Sequence, residues 1–152
     1  MAGFPLGVAR RAIDELVALA STKVRPPGPD PLGHDGDVQV AIAYAEGALQ
    51  AARAFVFDTL GAMWDSALAG DVPSDEQRAR FLLANQHAMR VAVDTVDTAM
   101  GFGGMSALRP QHPLQRCLRD IHAADQHIYF SQAATKRYAK ARLRIEQETF
   151  WF

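Results

Sequence analysis

The run PSDEQRARFLLANQHAMRVAVDTVDTAMGFGG, Pro73–Gly104, reads as one long helix with a marked beginning and a marked end. Ser74 and Gln77 have the spacing of a capping box, in which the hydroxyl takes the Gln77 backbone N–H and the Gln77 side chain reaches back to the Ser74 N–H. Phe81, Leu82, Ala84, Ala88, Val91, Ala92, Thr95 and Ala99 then recur at the steps that gather apolar groups on one side of a helix. Gly101-Phe102-Gly103-Gly104 is read as the stop, since glycine readily takes the left-handed conformation that ends a helix.

Working outward, the first helix is expected from about Phe4 to Lys23, with Leu6, Ala9, Ile13, Leu16, Val17 and Ala20 inside and Arg10, Arg11, Asp14 and Glu15 outside. Arg25-Pro26-Pro27-Gly28-Pro29-Asp30-Pro31 halts it, because proline lacks the N–H a helix needs. A second helix of about 50 Å spans Asp37 to Ala69 on the stripe Ile42, Ala45, Leu49, Ala52, Phe55, Leu60, Met63 and Ala67. Gly47 and Gly61 within it each cost about 1 kcal/mol against alanine, or mark close helix contacts. A fourth helix starts near Pro113, suited to a first turn, and runs to about Glu146 with Leu114, Cys117, Ile121, Ala124, Ile128 and Ala134 inward. The aromatic tail Thr149–Phe152 is too short to fold alone. Alanine is abundant, and no segment shows strand alternation. Short connections favour antiparallel neighbours, so the expectation is all-α: one domain, 1–152, folded as an antiparallel up-down four-helix bundle.

Composition narrows the function classes. A net charge of -1 gives no general pull toward nucleic acid or membrane, and no stretch reaches the roughly 18 unbroken apolar residues of a span. The basic run Lys136–Arg144 suits a helix C-terminus, where the dipole favours cations, and lacks an accompanying aromatic stacking set. No nucleic-acid or membrane partner is expected. The single cysteine, Cys117, excludes an internal disulfide and a CxxC metal site, and a cytoplasmic protein is the default. The Glu-x-x-His repeat of di-iron bundles is absent, since Ala18, Leu49 and Ala79 stand three places after Glu15, Glu46 and Glu76. No metal site is expected.

The densest polar cluster is Arg116, Arg119, Asp120, His122, Asp125 and His127. On one continuous helix Arg116, Asp120 and His127 fall within about 40° of one another, whereas His122 and His127 are about 140° apart and cannot share an ion. From spacing alone the cluster reads as a solvated face with an Arg116–Asp120 pair at i,i+4. The Gly103-Gly104 pair likewise has two readings, a helix end or a place where backbone approaches a ligand without a Cβ in the way.

Leu6-Gly7-Val8-Ala9-Arg10-Arg11-Ala12, the Gly103-Gly104 turn and Pro113-Leu114-Gln115-Arg116-Cys117-Leu118-Arg119-Asp120-Ile121-His122 together resemble the C-terminal helical domain of the acyl-CoA dehydrogenase superfamily. The likeness is greatest to its type-2 branch, which contains flavin-dependent monooxygenases. The resemblance implies FAD, a tetramer built as a dimer of dimers, and a flavin lodged partly against a neighbour's helical domain. It matches Gly103 and Gly104 to a glycine pair near the cofactor, and Arg119 and Asp120 to the pair opening the helix toward the reaction centre. His127, eight residues past Arg119, stands where many dehydrogenases carry a catalytic glutamate and the monooxygenase-type relatives a histidine. Such a histidine moves a proton near neutral pH, which favours oxygen insertion into an aromatic substrate over oxidation of a thioester.

The sequence also departs from the pattern. Met100 replaces the glutamine before the glycine pair, and no Arg-x-x-Phe follows the first helix. The helical and β-domains that precede this one in the superfamily are missing. The expectation is therefore part of a flavin-dependent oxidoreductase, inactive alone, whose remainder comes from a longer or a separately encoded flavin-binding chain. The alternative is a non-catalytic helical association or binding module. A homo-oligomer, dimer or tetramer, is expected from the apolar surface of the second helix and the tail. Tight FAD binding by this chain alone is not expected, because a cofactor site normally encloses most of its ligand.

Overall fold

Both halves of the capping box form: Ser74 Oγ accepts from Gln77 N at 3.2 Å, and Gln77 Oε1 accepts from Ser74 N at 2.7 Å. The Gln77 amide also donates to Ala62 O and to Ser66 Oγ, so the cap ties its helix to the preceding one. The structure, a computed structural model, describes residues 2–145. Its helices are α1 (Gly3–Thr22), α2 (Gly36–Leu68), α3 (Asp75–Ala107), α4 (Pro113–Asp125) and α5 (Gln132–Arg142), with 3-10 turns at Leu32–His34 and Ile128–Phe130. No strand occurs among the described residues; Val24 and Pro31 form an isolated bridge. The fold is all-α, as expected.

Cross-links between helices fix their directions. Arg10 of α1 meets Glu46 of α2 at 2.6 Å, while Ala20 near the end of α1 packs with Val38 near the start of α2. Arg80 of α3 pairs with Asp58 of α2, and farther along α3 Asp97 meets His122 of α4 at 2.7 Å. Asp75 is held below its ordinary carboxyl range by the hydrogen bond and charge of Arg78, and by the charge of Arg137, which places α5 beside the first turn of α3. Thus α4, the second 3-10 turn and α5 run back along α3 as the fourth, broken limb of an up-down bundle. The main core lies where α1, α3 and α4 meet: Ile13, Leu16, Met89, Val96, Leu114 and Ile121 are all buried there.

Three expectations about the helices change. Instead of stopping at Gly101, α3 continues to Ala107 across a kink at Gly104 (φ 54°, ψ −150°). The expected single fourth helix ends at Asp125 and restarts at Gln132, because His127 and Ser131 each take up a backbone N–H two residues on and begin new turns. Ile128, expected inside, is therefore 60% exposed. Along α2 the buried face drifts to Val56 and Thr59, which leaves Leu60 and Ala67 outside. Glu146 and the aromatic tail lie outside the described residues.

Among the described residues α2 is long and apolar enough, by length and composition, to cross a membrane, with a mean hydropathy of 1.2 over its most apolar window. Glu46, Arg53, Asp58 and Asp65 interrupt the helix, so it holds no unbroken apolar run of membrane-crossing length.

Two stability measurements check this account. Ser74→Ala removes a cap and is expected to lower unfolding free energy by about 1 kcal/mol in urea titrations. The Arg10 hydrogen bond is the main cause holding the Glu46 carboxyl below its ordinary range. The pair's contribution is therefore present above the unfolded carboxyl pKa and lost as pH falls through the folded value. Both side chains are about two-fifths exposed, so solvent screens the pair and Glu46→Gln is expected to cost at most about 1 kcal/mol at neutral pH, and nothing once the carboxyl is protonated.

Candidate functional site

The expected site residues fall in three places. The first is the kink of α3. Gly104 sits at a positive φ that side chains rarely adopt, and a Cβ on Gly103 would lie 2.5 Å from that of Ala107. Both glycines are thus required by the chain's own geometry. The carbonyls loosened by the kink are taken by cations from beyond α1: Lys23 Nζ donates to Gly103 O, and Arg25 donates to Phe102 O at 3.3 Å. A Cβ on Gly104 would meet only Lys23 Nζ within 4 Å, so the outer side of the turn is otherwise open.

The second place is a groove of about 650 Å³ between α1 and the start of α4. Phe4 and Gly7 line one side, and Arg116, Arg119 and Asp120 the other. Asp120 pairs with Arg116 (3.4 Å), as its helical spacing predicts, and Arg11 pairs with Glu15. Among the described residues Arg119 makes no ion pair, which leaves an exposed guanidinium at the groove edge. Cys117 also lines the groove, but burial pushes its thiol up and keeps it protonated.

The third place is the end of α4. The helical projection that set His127 on the Arg116–Asp120 face fails, because α4 stops at Asp125 and His127 takes an extended conformation (φ −73°, ψ 135°). His127 is exposed and does not line the α1–α4 groove. Its Nδ1 accepts from Tyr129 N at 3.2 Å, so in the neutral ring the proton resides on Nε2, the nitrogen left for other partners. His112 begins α4 in the same way, accepting from Leu114 N.

Sequence reading missed Lys23, Arg25 and His112. Lys23 and Arg25 are remote in sequence from the carbonyls they serve. Histidine is not among the usual cap residues, so only the proline after His112 hinted at its role.

The family profile for the acyl-CoA dehydrogenase C-terminal domain matches residues 1–132. The chain belongs to this family. Within it, the chain is 38% identical over 125 residues to indole-3-acetate monooxygenase of Pseudomonas putida, covering 82% of this chain and 32% of that protein. The chain thus spans about a third of the length of that relative. Among solved structures, XiaF from Streptomyces sp. in complex with FADH2 and glycerol superposes with a TM-score of 0.88 at 19% identity, over 95% of this chain and 37% of that one. The 3-HSA hydroxylase from Rhodococcus sp. RHA1 superposes at 0.85 with 25% identity, over 95% and 38% respectively. The acyl-CoA dehydrogenase match ends at the first residue of α5, so nearly the whole of that helix lies beyond it.

Gly104→Ala and Gly103→Ala are each expected to lower stability, the former by about 1–3 kcal/mol from backbone strain. Unchanged melting temperatures in both would mean that the glycines serve a ligand and not the kink.

Proposed function

We propose that this chain is the C-terminal helical portion of an FAD-dependent monooxygenase of the acyl-CoA dehydrogenase type, with His127 handling a proton beside the flavin. The observation that carries this reading is the setting of His127. Its ring is exposed at a break in the fourth limb, eight residues past Arg119, and oriented by the hydrogen bond to Nδ1. A histidine so held presents Nε2–H as a hydrogen-bond donor; to pass that proton on it must gain one at Nδ1, which requires the contact with Tyr129 N–H to open. The relatedness to indole-3-acetate monooxygenase supports oxygen-inserting chemistry over thioester oxidation, and the FADH2 bound by XiaF, which shares the fold, supports a flavin.

The residues present fit one edge of a flavin dinucleotide. The open side of the Gly103-Gly104 turn admits a ligand's approach, and Lys23 and Arg25 beside it bring positive charge suited to phosphates. Arg119, which makes no ion pair among the described residues, and Asp120 offer a donor and an acceptor at the groove. The flavin, when bound, supplies the redox chemistry; this chain positions it, with His127 Nε2–H as a donor beside it. The three places are separate within one copy, so the reading includes a homo-oligomer, dimer or tetramer, in which neighbouring copies complete the site. The remainder of the flavin enclosure comes from residues outside these 152, in the same or a separately encoded chain.

The test uses this chain joined to the flavin-binding part. His127→Asn keeps a side-chain acceptor for the Tyr129 N–H while removing the imidazole. It is expected to leave helix content unchanged and to lower substrate hydroxylation about 10²–10⁴-fold. Full activity in that variant would defeat the proton-handling role. The 152-residue chain alone is expected to purify colourless, and stoichiometric yellow flavin would overturn the division of the site.

A further inference from the structure

The stretch from Gln126 to Ile145 holds a charge pattern that neither the core nor the candidate site uses. It carries five lysines and arginines and no acid, while the remainder of the chain, with eleven such cations against seventeen acids, carries −6. An overall charge of −1 thus conceals a segregated molecule whose cation excess is gathered on α5. The helix itself is two-sided. Ala134 is buried and Tyr138 and Ala141 are half-buried, so that stripe faces α3. At about 100° per residue Lys136, Lys140 and Leu143 fall within about 60° of one another on the opposite side, and all three are exposed. Leu143 is 68% exposed, and Ile145 just beyond it 51%. Among the described residues Lys136, Lys140, Arg142 and Arg144 make no ion pair, whereas the charge of Arg137 acts on Asp75 of α3.

We propose that this outer face of α5 settles on an anionic phospholipid bilayer, with Lys136 and Lys140 at the phosphates and Leu143 entering the boundary beneath them. The inference is independent of the flavin reading. Cations beside exposed aliphatic groups suit a helix that lies in a membrane interface, because the ammonium groups stay with the headgroups while their methylene stems and the leucine leave water. In sequence the run is followed by Glu146 and Glu148, which subtract from the attraction, and then by Phe150-Trp151-Phe152, residue types that favour the same boundary. Four exposed cations outnumber those two acids, and each lysine or arginine at an anionic leaflet strengthens binding about fivefold. The negative remainder of the chain is repelled by the same surface, so the field turns α5 toward it. With one short helix in play the contact is weak and reversible. Nucleic acid is the poorer occupant of this face. Its phosphates have no use for Leu143 and Ile145, and Lys136 and Lys140, one turn apart, cover only about 6 Å along the helix.

The experiment sediments the 152-residue chain with lipid vesicles at low salt. Binding to vesicles of equal parts phosphatidylglycerol and phosphatidylcholine is expected to be about tenfold or more tighter than to phosphatidylcholine alone, and to fade at high salt. Lys136→Gln and Lys140→Gln together, which keep good helix formers, are expected to weaken it about 25-fold while helix content holds. Arg109→Gln, which removes an exposed cation beyond the end of α3 remote from α5, is expected to change it less than about twofold. Equal binding to both kinds of vesicle, or none at millimolar lipid, would overturn the proposal. Anionic binding that survives the loss of both lysines would also overturn it, since the contact would then lie on another face. Tighter binding to duplex DNA than to the anionic vesicles at matched phosphate, lost in the same double variant, would assign the face to nucleic acid instead.

Discussion

Helices can crowd around α3 because of how little side chain it places between itself and its neighbours. Ala79, Ala84, Ala88, Ala92, Ala99 and Ala107 are all buried along its length, so backbones come close on several sides at once. The larger groups that fill the remaining space, Leu16, Met89, Leu114 and Ile121, come from three different helices. A core of this kind tolerates little enlargement on the α3 side, since an added methylene has no free volume to enter. The alanine content that biases the chain toward helix also sets the spacing of the bundle.

Much of this was legible in the sequence, for a local reason. The Ser74 cap, the proline loop after α1 and the apolar steps of α3 are decided by residues within one or two turns of each other. The failures share a cause too. Gly101–Gly104 reads as a stop because glycine ends helices, but Lys23 and Arg25 supply the missing partners for the carbonyls and α3 resumes. The break between α4 and α5 was hidden because alanine-rich sequence continues past it and a histidine does the capping. Once that break forms, projections beyond Asp125 lose their phase, and so His127 moved off the face assigned to it.

The candidate site was legible as residue identities and not as an arrangement. Arg119 and Asp120 line one groove, but the glycine turn and His127 lie elsewhere. Periodicity could supply the Arg116–Asp120 pair, since both ends lie on one continuous helix. It could not show that both glycines serve the kink, because the crowding against Ala107 and the positive φ exist only once the chain has turned.

The broken limb has a dynamic consequence. Whereas α4 is anchored by Leu114, Cys117 and Ile121, α5 buries only Ala134 and rests chiefly on α3 and the 3-10 turn. Elements with so few buried contacts open first, in sub-global steps that leave the rest folded. Amide protons from Gln132 to Arg142 would exchange well before those of α3, with His127 at the boundary between the slow and fast regions. An assembly that closes over this histidine would slow that exchange as it ordered the helix behind it.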